Sequence, residues 1–161
     1  MKAHGFLGWA LIVVAASACS RYGRARVGEV SEAQVGERGR WSAAISPPPT
    51  AAGSLPINGW AAMVPDSGRA GTVVTLSLSD VPATIKARWS VNRGKCGADQ
   101  GVFGPPEAYE ALETDRYGRA TASARIPLRT PTTGEYFVSV RAPSPGGEVT
   151  IACGRFAPPG E

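Results

Sequence analysis

Histidine is almost missing from this chain: of its 161 residues only His4 carries an imidazole. That scarcity excludes a Ser-His-Asp or Cys-His pair, both of which need an imidazole to take a proton from the nucleophile. It also removes the nitrogen ligand on which copper and most zinc sites rest. Long apolar runs are lacking too. The stretch from Phe6 to Ala16 falls well short of the roughly 20 residues that span a bilayer as a helix. Basic residues never form a run. Arginine far outnumbers lysine and is interspersed with Asp and Glu, so a formal charge of +4 gives no clustered footprint, and no nucleic-acid partner is expected. Gly101-Val102-Phe103-Gly104 follows no strand-to-helix phosphate-binding pattern and reads as a turn-rich loop.

At the N-terminus, Lys2 precedes the apolar stretch and Ala16-Ser17-Ala18 supplies small residues, so residues 1–18 read as a signal peptide. Two cleavage chemistries compete there. Ala16-Ser17-Ala18 suits ordinary signal peptidase, while the same residues directly before Cys19 have the form of a bacterial lipobox. Cysteine parity favours the second. An oxidising compartment favours pairing of Cys96 with Cys153, which leaves Cys19 as the odd thiol of three, and a diacylglycerol on it accounts for the imbalance. The expectation is an exported envelope lipoprotein, held to a membrane through Cys19, with a simply cleaved secreted form as the alternative. Ser20, with no Asp after the cysteine, points to outer-membrane sorting where the cell has an outer membrane. Residues 19–40 are rich in Gly, Arg and Glu, keep no period of 2 or 3.6, and read as a flexible tether.

From Trp41 onward the chain is dense in turn formers. Twenty Gly and fourteen Pro in the whole sequence, with many Thr, Val and Ser, predict short strands and frequent turns, and so an all-β domain over residues 41–157 with a short tail at 158–161. Candidate strands fall at about 41–45, 57–64, 72–79, 84–92, 119–126, 134–141 and 148–153, which supports a sandwich of about seven or eight antiparallel strands. Val74, Leu76 and Leu78 oppose Thr75, Ser77 and Ser79, while Tyr136, Val138 and Val140 oppose Phe137, Ser139 and Arg141. Ala120, Ala122, Ala124 and Ile126 make a small-residue face suited to close approach of a facing sheet. The Pro run from Ser46 to Thr50 suits neither a central strand nor a helix and reads as a connection.

The most informative stretch runs from Ile85 to Cys96. Ile85, Ala87, Trp89 and Val91 share one strand face, and Lys86, Arg88, Ser90 and Asn92 share the other. Between Asn92 and Arg119 lies an insert too long for a hairpin turn, and loops of that length are usually functional or stapled. Closing the loop from Cys96 to Cys153 stabilises by roughly 4 kcal/mol in the chain-entropy model.

Arg88-Trp89-Ser90-Val91-Asn92-Arg93-Gly94-Lys95-Cys96, the strand Tyr136 to Arg141, and the close Ile151-Ala152-Cys153-Gly154 together resemble the Cu/Zn superoxide dismutase-like superfamily. The resemblance covers about residues 41 to 156 and is closest to small bacterial envelope lipoproteins of that superfamily. It implies a Greek-key, immunoglobulin-like β-sandwich whose disulfide ties the loop to the last strand. It also implies copper and zinc held by histidines. The His-x-His of the family's segment falls on Ser90 and Asn92, and the histidine of its Tyr-x-x-x-Val-His strand falls on Arg141.

None of those three side chains is a good copper ligand, and a dismutase must cycle copper within a fixed set of neutral imidazoles. The expectation is therefore a non-enzyme with no cofactor: a pseudoenzyme serving as a binding or structural module for an envelope protein or small ligand. Lys86, Arg88, Ser90, Asn92 and Arg141 come together as a polar, basic face if the two strands neighbour as in the family. One reading makes it an anion or partner site; the reading preferred here is that ordinary surface polar groups fill the place of a lost metal site, with Arg141 paired to a loop carboxylate. The alternative is a residual metal-binding protein handling copper or zinc through loop carboxylates (Asp99, Glu107, Glu110, Glu113 and Asp115) and a reduced cysteine pair.

Overall fold

The computed structural model of the protein describes residues 39–49, 56–83 and 85–160. The expected signal peptide, Cys19 and nearly all of the expected tether lie outside the described residues. Among the described residues nine strands form: β1 Trp41–Ile45, β2 Asn58–Pro65, β3 Thr72–Ser79, β4 Lys86–Lys95, β5 Ala98–Val102, β6 Leu112–Glu113, β7 Ala120–Ile126, β8 Tyr136–Ser144 and β9 Gly147–Arg155. One sheet runs β1-β2-β3-β7 and the other β5-β4-β8-β9, with β6 on β4 as well. Every pairing is antiparallel. The chain changes sheet between β3 and β4, between β6 and β7 and again between β7 and β8. The non-sequential neighbours β3–β7 and β4–β8 that result are Greek-key connectivity in an all-β sandwich.

Alternation drives the packing. In β3, Thr72, Val74, Leu76 and Leu78 are buried while the residues between them are half-exposed. In β4 the inward set is Ala87, Trp89 and Val91, which meets Val138 and Val140 of β8 in the same core. Each such apolar side chain contributes about 1.5–3 kcal/mol on leaving water. The small face of β7 also points inward: Ala120, Ala124 and Ile126 are buried and Ala122 packs against them. The sandwich is stitched along one side. Ser42 of β1 bridges Ala157 and Ser46 bridges Cys153, so the first strand of one sheet lies against the last strand of the other.

The insert after Asn92 departs from the expectation of one long loop. β4 continues to Lys95, turns at once, and pairs with β5 through Lys95–Ala98 and Gly94–Asp99. Gly94 and Gly97 permit this, since both have positive φ, a region that side chains with a Cβ avoid. Beyond β5 the chain is held by tryptophan. Trp89 Nε1 donates to the Glu110 carbonyl at 2.9 Å, and its ring meets Tyr109 edge-on at 5.1 Å. The Tyr109 hydroxyl donates to the Phe103 carbonyl at 2.7 Å, and burial pushes its pKa well above the ordinary phenol value. Trp41 does the same for the connection between β7 and β8, donating to the Pro131 carbonyl at 2.8 Å.

Candidate functional site

The outward face of the second sheet carries Ser90, Asn92 and Arg141, and the β4–β8 register fixes their spacing. Ser90 stands opposite Ser139, Asn92 opposite Phe137, and Arg88 opposite Arg141. Ser90 and Asn92 therefore meet directly, whereas Arg141 is two cross-strand pairs away from Asn92. Ser139 sits in the middle.

Asn92 is fully buried and Ser139 is 2% exposed, although both point away from the core between the sheets. Asn92 Nδ2 donates to Ser139 Oγ at 2.9 Å and to the Ser90 carbonyl at 3.4 Å. Its Oδ1 accepts from Ser90 Oγ at 3.2 Å. A buried amide has two donor hydrogens and a carbonyl oxygen to satisfy, and here each has a partner.

Two cross-links pass over this face. The Cys96–Cys153 disulfide joins the β4–β5 turn to β9, crossing β8, which lies between β4 and β9. Arg141 Nη2 on β8 reaches Asp99 Oδ2 on β5 at 3.0 Å, crossing β4. Asp99 is itself positioned, because its Oδ1 accepts from the Gly101 backbone N–H at 2.7 Å. These links account for the burial of a strand face that alternation alone assigns to solvent. Irregularities in register sit beside the cluster, between Asn92 and Gly94 and between Val140 and Arg141, where bulges commonly re-aim side chains.

Lys86 pairs with Glu113 at 3.1 Å, Arg88 with Glu148 at 3.2 Å and Arg141 with Asp99 at 3.0 Å, so all three cations of this face meet a carboxylate. The Arg141–Asp99 pair is the loop-carboxylate partner of the preferred expectation, and a free positively charged patch is not formed. Among the described residues no three His, Cys, Asp or Glu side chains come together as a metal-holding group. Asp99 and Ser139 are the participants that sequence reasoning did not single out. Asp99 was one of several loop carboxylates, and Ser139 becomes visible only once β8 is set in register with β4. No protein-family model matches the sequence, and no curated protein matches it.

Proposed function

We propose that this chain is a metal-free, non-catalytic member of the Cu/Zn superoxide dismutase-like superfamily, exported to the cell envelope, anchored through lipid on Cys19, and serving as a binding or structural module. The observation that carries the reading is the satisfied Ser90–Asn92–Ser139 cluster. A copper or zinc ion needs neutral lone-pair donors aimed at one point. The positions where the family has imidazoles present instead a hydroxyl, an amide and a guanidinium. Asn92 has its amide hydrogens and its carbonyl oxygen engaged within the protein, and Arg141 carries a positive charge already bound to Asp99. The residues present do not fit the metal that the family resemblance implies.

The test is metal content and thiol count on full-length protein purified oxidised from its own host. Copper and zinc far below one equivalent, with no free thiol, are the expected results, because the lipid on Cys19 is held through its sulfur. Stoichiometric copper or zinc, or two titratable thiols at Cys96 and Cys153, would favour residual metal handling instead. Mass spectrometry of the same preparation is expected to show an acylated N-terminal Cys19. An unmodified N-terminus would refute the anchor while leaving the metal-free reading standing.

A further inference from the structure

A groove of about 620 Å³ lies on the other sheet, toward the end where β2 begins and β3 ends. Its floor is a row of side chains across three strands: Trp60 opposite Ser77, and Ser77 opposite Thr121. Facing residues in such a row have Cβ atoms about 5 Å apart. Glu113 and Arg119 contribute to its wall.

Trp60 is the unusual member. It is 48% exposed, whereas Trp41 and Trp89 are buried and each donates its indole N–H to a carbonyl. Its neighbours across the sheet are Ala44 on one side and Ser77, then Thr121, on the other, so the indole stands up beside a small, hydroxyl-bearing floor. Gly59 keeps that floor close-packed, since a Cβ there would lie 2.4 Å from the Ser77 carbonyl oxygen. The charges at the wall are balanced: Glu113 is bound to Lys86, and Arg119 to Asp115 at 3.3 Å. An ionic ligand would have to displace these pairs, whereas a neutral ligand has no need to.

We infer that this groove is a saccharide-binding site, in which the apolar face of a neutral hexose ring lies on the Trp60 indole and its hydroxyls bond to Ser77, Thr121 and Glu113. The chemistry is matched at each contact. An aromatic side chain offers a broad apolar surface, serine and threonine hydroxyls both donate and accept, and a carboxylate accepts. The volume lies in the range of small-molecule sites. The groove is on the sheet that does not carry Asn92, so the inference stands or fails independently of the metal-free reading.

Trp60 also supplies the assay. Among the described residues it is the exposed tryptophan, so collisional quenching of fluorescence by acrylamide in the oxidised protein lacking its leader reports mainly on it. A panel of neutral oligosaccharides of glucose, galactose, mannose and N-acetylglucosamine is titrated, with calorimetry on any that protect. At least one is expected to shield Trp60 from acrylamide. Trp60→Ala is expected to weaken calorimetric binding of that saccharide by about tenfold or more, and Trp60→Phe by less, because a ring remains to stack upon. Thr121→Val is expected to weaken it several-fold, and circular dichroism checks that each variant keeps its β signal. Failure of the whole panel to protect Trp60 overturns the inference, and so does binding that survives Trp60→Ala unchanged. Protection by anionic polymers alone also overturns it, assigning the face to charge.

Discussion

Replacing both bridged cysteines, Cys96→Ser with Cys153→Ser, removes the covalent link without leaving a lone thiol. The cost can be worked from the loop it closes. With a sequence separation of 57 between the cysteines, the chain-entropy relation gives about 4 kcal/mol at 25 °C, released as extra freedom of the unfolded chain. For a domain of this size a loss of 1 kcal/mol lowers Tm by about 4 °C, so the variant is expected to melt about 15 °C below the oxidised parent. The folded state should survive. Cys153 exchanges backbone hydrogen bonds with Ser46 at 2.9 and 3.2 Å, and these tie β9 to β1 without the sulfurs. The Asp99–Arg141 bridge still crosses β4, although both side chains are more than one-third exposed and such a pair holds by only about 0–1 kcal/mol. Hydrogen exchange should therefore quicken at the core amides of both sheets that open only by global unfolding, and additionally at the β4–β5 turn and Asn92, which lose their local cover. Urea unfolding of the parent and the variant, fitted to two states, gives the number. A loss below about 1 kcal/mol would refute the view that the bridge acts on the unfolded chain, and no extra quickening at the β4–β5 turn and Asn92 would refute the view that it roofs one face of the folded one.

Other perturbations probe separate parts of the same frame. Asn92→Ala leaves Ser139 Oγ and Ser90 Oγ without their partner in a buried setting and is expected to cost about 2–3 kcal/mol in urea unfolding. Gly154→Ala places a Cβ 2.4 Å from the Ala44 carbonyl oxygen, where β9 passes β1. It should cost at least about 1–3 kcal/mol, with amide exchange quickening at Ser42 and Ser46. Asp115 is held below the ordinary carboxylate range, chiefly by the Arg119 backbone N–H, with the Tyr117 N–H and the Arg119 side chain adding to it. Its folded pKa lies below its unfolded one, so its contribution is complete above about pH 4 and is lost as pH falls through the lowered value. Asp115→Ala should therefore flatten the acid limb of a Tm-against-pH curve, and an unchanged limb would show that this carboxylate does not govern it.

The sheet faces were legible because alternation is a local property. Trp41 to Ile45 and Thr72 to Ser79 form strands where their patterns place them, and the remaining ends shift by a few residues. Two short strands, β5 and β6, escaped notice because Ala98 to Val102 and Leu112–Glu113 carry no alternation of their own. They exist because β4 offers them an edge. The burial of Asn92 was illegible for a related reason. Periodicity assigns it to the outward face, and only a turn folding back under a disulfide and an ion pair removes that face from water. Trp60 stands outside although Ala61, Ala62 and Met63, which follow it in β2, are buried, and the candidate strand alone did not say which way the indole faces. The pairing of Cys96 with Cys153 was readable from parity, whereas the cations of the outward face found carboxylates from strands distant in sequence.

The bridges between β1 and the chain's close also decide how the domain hangs. Ser42 near the start and Ala157 near the finish are backbone partners, exchanging hydrogen bonds of 3.3 and 2.8 Å. Entry and exit thus share one corner of the sandwich. β1 then runs away from that corner, from Trp41 beside Met63 to Ile45 beside Gly59, which is where the Trp60 groove opens. Whatever holds the chain ahead of Trp41 holds the domain by one end and presents the groove at the other, so a pull on that attachment loads the β1–β2 ladder before it reaches Trp60.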